Sequence, residues 1–207
     1  MWFYFFVFIV LLAVGSFVKL KMPIWIGKSG ENFIARRLDG LDSLKYKILN
    51  DVMLPSHGNT STTQIDHIVV SNFGIFCIET KSYQGWIFGS ADQKYWTQVI
   101  YRNKQRFYNP FWQNFAHLKA VELLLGNKLK SPIISFVVFP DADKLKIFGT
   151  NNVGYPKEIV EKIKNHATQI YSDIERDEIF DLLSAHNIVD REARREHNRE
   201  VRIKKSV

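Results

Sequence analysis

An α/β domain with a mixed central β-sheet flanked by helices, behind one N-terminal transmembrane helix, is what three features of the sequence predict. The first is the order of patterns: a helix, a run of strands, a helix, a continuous apolar strand and then more helices, which packs as layers on a sheet. The second is an uncharged stretch at residues 2–18, near the lower limit of about 17 residues for a helix that spans a bilayer. The third is length, since 207 residues suffice for one domain with a sizeable core and are too few for two of ordinary size.

Each element has its own justification. Residues 2–18 read as an anchor rather than a cleaved signal peptide, because Lys19 and Lys21 follow the apolar core instead of preceding it. The positive-inside tendency then makes this a single-pass cell-membrane protein whose domain beyond Lys19 faces the cytoplasm. SGENFIARRLDGL is predicted helical, with Ser29 as N-cap, Glu31, Ile34 and Leu38 on one stripe, and Gly40 as the stop. YKILNDVML alternates as a strand, and SHGNTST is a loop by composition. IDHIVVSNFGIFCIETKSY supplies two strands; GWIFG and YWTQVIY supply two shorter ones. NPFWQNFAHLKAVELLLGN is a helix entered after Pro110 and ended near Gly126. SPIISFVVFP has the pattern of a strand buried on both faces, and KLKIF that of an edge strand. PKEIVEKIKNHA and SDIERDEIFDLLSAH are helices, and DREARREHNREVRIKK reads as a solvated helix. The boundaries that follow are an anchor at 1–20, a motif-bearing core at 24–140, a C-terminal helical part of the same unit at 141–190, and a basic tail at 191–207.

A formal charge of +7 favours a polyanionic partner, either nucleic acid or an anionic membrane face. The single cysteine, Cys77, excludes an internal disulfide framework, and its place in an apolar run assigns it to the core. The histidines show no paired Cys/His spacing of the structural zinc kind. The aromatics Trp86, Trp96, Tyr101, Phe107, Tyr108 and Trp112, interspersed with Lys94, Arg102, Lys104 and Arg106, suit either base stacking with phosphate contact or sheet core with basic loops.

Asp66, Glu79 and Lys81 lie within the two strands of the opening apolar pair, where such residues are rare unless a partner or a reaction requires them. With Asn72 and Phe73 as a two-residue turn, Ser71 faces Gly74, Asp66 faces Glu79 and Gln64 faces Lys81; the alternation puts all three charged groups on one face. Two facing carboxylates repel unless something positive sits between them. Hard oxygen ligands without His or Cys suit Mg²⁺ or Mn²⁺. Lys81, on the same face, could orient or deprotonate an attacking water or stabilise charge developing on a phosphate.

An aspartate followed by Glu-x-Lys within a hairpin resembles the core of the PD-(D/E)xK nucleases. The fuller run GENFIARRL, QIDHIVVSNFGIFCIETKSYQGWI and NPFWQNFAHL is similar to the NERD domain, the nuclease-related domain of bacterial proteins that often carry a membrane segment. The resemblance implies a restriction-endonuclease-like core with Asp66 and Glu79 as metal ligands and Lys81 as the catalytic lysine. It brings Glu31 to the same metal; the helix dipole alone would also explain an acid there. Gln113 matches a site-facing glutamine of related nucleases, whereas His117, four residues on, departs from the tyrosine they carry and reads as a polar surface position. Gln64, Arg102, Lys104 and Arg106 are expected to contact substrate.

The leading expectation is therefore a membrane-anchored nuclease, dependent on Mg²⁺ or Mn²⁺, that hydrolyses phosphodiester bonds in DNA. The alternatives are a membrane-tethered binding module for nucleic acid or protein that keeps the fold without the chemistry, and an envelope scaffold.

Overall fold

The computed structural model describes residues 2, 4, 27–56 and 60–206, the last three as backbone alone. The anchor expected at residues 2–18 lies outside them, save for residues 2 and 4; among the described residues no helix is long and apolar enough to cross a membrane.

Helix α1 covers 27–38, so Ser29 stands inside the helix and is not its N-cap. The stripe of Ile34 and Leu38 is buried as the spacing predicts. Strand β1 (Tyr46–Pro55) is followed by β2 (Thr62–Ser71) and β3 (Gly74–Thr80). The β2–β3 register is the expected one, from Ser71↔Gly74 to His67↔Ile78 across the Asn72-Phe73 turn. Next come β4 (Gly85–Ser90), β5 (Tyr95–Ile100) and β6 (Asn103–Tyr108), an antiparallel meander. Helix α2 (Pro110–Leu125) begins with Pro110 in its first turn and with Asn109 as cap, whose side chain accepts the Phe111 N–H. A single 3₁₀ turn (Gly126–Lys128) leads to β7 (Ile134–Val138), β8 (Ala142–Phe148) and β9 (Val153–Gly154). Three helices complete the chain: α3 (Pro156–Asn165), α4 (Asp173–Ala185) and α5 (Arg191–Ser206). A reciprocal capping box between Ser172 and Glu175 starts α4.

Instead of one central sheet there are two. Strands β1, β2, β3, β7 and β9 form a five-stranded sheet in that order, antiparallel through β3 and parallel beyond it. Strands β6, β5, β4 and β8 form a second, four-stranded sheet. The expectation of a single sheet failed because β6, with the sequence NKQRFY, is polar and mostly exposed, so no alternation announced a strand able to extend a separate layer.

The five-stranded sheet is covered on both faces. On one, Val52, Ile68, Val70, Ile75 and Cys77 pack under α2 and α4 through Val121, Leu125, Ile179 and Leu183. On the other, Val69, Phe76, Ile78 and Phe136 pack under α1 and α3 through Ile34, Leu38, Ile159 and Ile163. The sheets meet through Ile87, Trp96, Val137 and Phe139; the Trp96 and Phe139 rings stack with centroids 6.2 Å apart. Trp96 and Phe107 are therefore core, while Trp86, Tyr101, Tyr108 and Trp112 are exposed, which divides the aromatics between both of their expected roles. Helix α5 is not simply solvated. Arg194 donates to the Asp51 carboxylate and carbonyl, His197 pairs with Thr62, and Glu200 accepts from Ser61, which docks one face of α5 on β1 and the start of β2.

Candidate active site

Asp66, Glu79 and Lys81 come together where the β2–β3 hairpin opens. Pairing between these strands stops at His67↔Ile78, one step before Asp66 and Glu79. From there β2 continues along β1, with Ile65 opposite Val52, and β3 continues along β7, with Glu79 opposite Val137 and Thr80 opposite Val138. The freed Thr80 N–H turns to Oδ2 of Asp66 at 2.7 Å. The Lys81 N–H bonds to the Val138 carbonyl at 2.9 Å, extending the parallel pair by one step. The site thus sits at the carboxyl ends of β3 and β7, where open α/β sheets place their ligands.

Glu79 is 2 % exposed and is the hub. Its Oε1 accepts from Nζ of Lys81 at 2.5 Å and from Nε2 of Gln113 at 2.7 Å, while Oε1 of Gln113 accepts from Lys81 at 3.0 Å. The three side chains form a closed triangle. The other oxygen, Oε2, stands 3.3 Å from Nε2 of His117, yet neither atom has a well-aligned hydrogen-bond partner among the described residues. Nδ1 of His117 pairs with Oγ1 of Thr63 at 2.6 Å. His117 is 6 % exposed, so the expected surface histidine belongs instead to the site.

Helix α2 carries Gln113 and His117 one turn apart, and Asn114 between them locks the helix to the sheet. Its amide donates to the Cys77 and Phe136 carbonyls and to Oγ of Ser135. Nothing in the local pattern marks Asn114, because a mid-helix asparagine reads the same as a buried anchor and as a surface residue. Glu31 enters from the first turns of α1. Gly30 permits this approach: a Cβ there would lie 1.8 Å from Oγ of Ser82 and 3.3 Å from Pro140, the residues just beyond the site ends of β3 and β7.

Electrostatics divide the acids. Burial pushes the Asp66 carboxyl well above its ordinary range, and Glu79 and Glu31 push it further, against the opposing pull of Lys81 and the Thr80 N–H. Burial would also raise Glu79, but the Lys81 ammonium and His117 beside it outweigh that and hold it down at about 2. For Lys81, burial opposes the charge, and Glu79 and Asp66 restore it; its pKa is raised, and it stands as an ammonium. Glu31 is raised by burial and then by Asp51 and Glu79, which places it within the same field. His67, behind Asp66 on the opposite face, is lowered to about 4 by burial and is neutral. Cys77 is raised to about 12 by burial and is not a nucleophile.

Two expected geometries differ. Gln64 pairs with Met53 of β1 rather than facing Lys81, and its amide donates to Asp51 at 2.6 Å. Asp51 has φ of 55°, a kink in β1 across from Asp66 that no feature of the sequence announces. Arg102, Lys104 and Arg106 lie on the β5–β6 hairpin of the second sheet, not beside the acids.

The residues suit a hard divalent cation. Oε2 of Glu79 is a buried carboxylate oxygen without a well-aligned donor, Asp66 is a second carboxylate whose ionisation lacks a compensating charge, and Glu31 shares their field. Among the described residues no cluster of three His, Cys, Asp or Glu side chains is drawn together as a complete ligand set.

An uncharacterized protein of Bacillus anthracis is 37 % identical over 193 residues, covering 91 % of this chain and 89 % of its own. The crystal structure of a protein of unknown function, AF1548, aligns with 88 % of this chain and all of its own at 12 % identity and a TM-score of 0.33. The model of the nuclease-related domain matches residues 26–140, which include Glu31, Asp66, Glu79, Lys81 and Gln113. The chain belongs to the nuclease-related domain (NERD) family, within the PD-(D/E)xK-like nuclease superfamily.

Proposed function

We propose that this protein is a nuclease, dependent on Mg²⁺ or Mn²⁺, that hydrolyses phosphodiester bonds in DNA and is tethered to the cell membrane through residues 2–18 with its domain in the cytoplasm. The observation that carries the reading is the triangle of Glu79, Lys81 and Gln113, with one Glu79 oxygen left without a donor beside Asp66. Asp66 and Glu79, assisted by Glu31, would hold the cation. When bound, it would lower the pKa of a water and neutralise charge at the scissile phosphate.

The chain's own residues supply the rest. Lys81, kept protonated by two acids, acts as a fixed positive charge toward the non-bridging oxygens of the phosphate as negative charge develops there, and does not act as a base. Gln113 holds both Lys81 and Glu79, so the ammonium cannot swing away. His117, anchored by Thr63, stands 3.3 Å behind the second Glu79 oxygen and leaves it without a well-aligned donor. Gln64 acts on the substrate side through Asp51, and Arg102, Lys104 and Arg106 contact phosphates at a distance from the acids. In the reaction a water oxygen bonds to phosphorus and gives up a proton to solvent, the bond to the leaving oxygen breaks, and that oxygen takes a proton from solvent.

The test is cleavage of labelled DNA by the full-length chain in detergent with Mg²⁺, with Mn²⁺ and with chelator. Cleavage only with the cation, lost in Asp66→Asn, supports the reading. A second reading has one observation in its favour: Lys81 already neutralises Glu79 without any cation, as a non-catalytic binding module would require. Binding of DNA without cleavage under every cation condition would select that module.

A further inference from the structure

The outward face of the four-stranded sheet has a pattern that the active site does not use. Three rows cross it, fixed by the strand register. Lys104, Val99, Trp86 and Lys144 make one; Arg106, Thr97, Phe88 and Lys146 the next; Tyr108 and Tyr95 begin the third. The centre is aromatic and both edges are cationic. Trp86 is 43 % exposed, although Lys144 and Lys146 reach over its ring at 5.1 and 5.0 Å. Lys146 also covers Phe88 at 5.2 Å, and Arg106 covers Tyr95 at 4.8 Å. No carboxylate among the described residues forms an ion pair with Lys104, Arg106, Lys144 or Lys146. Three of these unpaired charges, Arg106, Lys144 and Lys146, are pre-positioned beside π-faces.

The face is also concave and joined to the site. A cleft of about 970 Å³ runs over Trp86, Phe88, Val99 and Lys104, ending at Gln84 and at Asp141 with Asp143. Gln84 is three residues beyond Lys81, and Asp141 is three beyond Val138, whose carbonyl accepts the Lys81 amide. Two of the cleft's lining residues, Gln84 and Asp141, thus follow closely along the chain on the ends of β3 and β7 that bear the site.

We propose that this face binds a single-stranded polynucleotide, with bases on Trp86 and Phe88 and phosphates along Lys104 and Arg106 on one edge and Lys144 and Lys146 on the other, and leads that strand toward Lys81. The inference rests on the nuclease reading and names the form of its substrate. A duplex turns its base faces inward and offers nothing to Trp86, whereas a single strand presents a π-face and a phosphate at every step. A membrane surface would require the rings to project beyond the cations. Here Lys144 and Lys146 lie over the Trp86 ring, and that ring lines the cleft together with Lys104.

Binding is measured by fluorescence anisotropy with the full-length chain in detergent micelles and chelator, using oligo-dT, oligo-rU and a DNA duplex, with phosphatidylglycerol vesicles as competitor. Wild type is expected to prefer either single strand to duplex by at least about tenfold, with a log affinity against log salt slope of about −3 for four cations. Trp86→Ala is expected to weaken single-strand binding at least about fivefold. The pair Lys144→Glu and Lys146→Glu should weaken it more than tenfold, with melting temperatures unchanged. Lys104→Ala with Arg106→Ala, on the opposite edge, is a milder second probe and should flatten the salt slope by about 1.4. Variants within twofold of wild type, a duplex bound as tightly as a single strand, or vesicles binding in place of oligonucleotides would each overturn the proposal. The two readings fail separately: variant-sensitive single-strand binding without cleavage removes the nuclease reading alone, and cleavage of single strands unaffected by Trp86→Ala removes this proposal alone.

Discussion

In the five-stranded sheet the charges of Asp66, Glu79 and Lys81 sit among aliphatic side chains and answer one another, whereas in the four-stranded sheet Arg106, Lys144 and Lys146 lie over aromatic rings and, with Lys104, make no ion pair among the described residues. Burial makes the first set stiff and shifts its proton affinities, because a desolvated charge must find a fixed partner. Exposure leaves the second set free to exchange counterions for phosphates. The difference matches the demands of chemistry and of capture: one needs oriented charge in a dry place, the other needs charge that a polymer can reach.

If this contrast holds, Lys81→Ala produces the largest effect. Cleavage should fall by about 10²-fold or more, while the affinity for a single strand stays within twofold. The same change leaves Glu79 buried without its cation and should cost about 3–5 kcal/mol, read as a loss of melting temperature. Equal loss of binding and cleavage would show that the two sheets are not separable in function.

Gly85 tests how the second sheet is set beside the first. It opens β4 with φ of 79°, and a Cβ there would stand 2.3 Å from the Val99 carbonyl oxygen. Gly85→Ala should cost about 1–3 kcal/mol by melting and degrade single-strand affinity along with it. A variant with wild-type stability would mean that the β4–β5 pairing is looser than it looks.

Acid unfolding sharpens the buried half of the contrast. Glu79 has a folded pKa of about 2 against an ordinary 4.5, so its stabilisation is present above 4.5 and is lost as pH falls toward 2. Wild type should therefore lose melting temperature through that window, and Glu79→Gln, starting lower, should decline less. Parallel curves would remove Glu79 as an ionised hub.

Asp66 gives the smallest effect, with the opposite sign. Its folded pKa is raised, so its contribution is fully present below the ordinary carboxylate value and is lost as pH rises through the folded one. Asp66→Asn keeps an acceptor for the Thr80 N–H and, in chelator at neutral pH, should be as stable as wild type or more so by up to about 1 kcal/mol. Added Mn²⁺ should raise the melting temperature of wild type and not of this variant. Destabilisation by Asp66→Asn in chelator would make the acid a structural partner instead.

The shared face of Asp66, Glu79 and Lys81 was legible for a geometric reason: the Asn72-Phe73 turn sets the β2–β3 register and the two-residue period sets the face. The facing of Asp66 with Glu79 and of Gln64 with Lys81 was not, because the pairing ends at His67↔Ile78 and Gln64 pairs with Met53. What local rules could not reach was set by distant chain. His117 is buried because Thr63 and Glu79 meet it across the α2–sheet contact, and Asn114 because three groups on β3 and β7 receive its amide. The polar β6 became a strand by pairing with β5, not by its own pattern, and the Asp51 kink is gripped by Arg194 from the far end of the chain. Ser29 resembled a cap only because the residues before it gave no competing start.

The strand order has one more consequence. The chain leaves the five-stranded sheet after β3, builds β4 to β6, returns for β7, leaves again for β8 and comes back for β9. Neither sheet is a continuous stretch of sequence, so no single cut frees one from the other, and Trp96 and Phe139 bind them at the seam. The two sheets are therefore expected to unfold as one cooperative body. Heat or a protease should remove the buried Glu79 cluster and the aromatic, cationic face in a single step rather than one before the other.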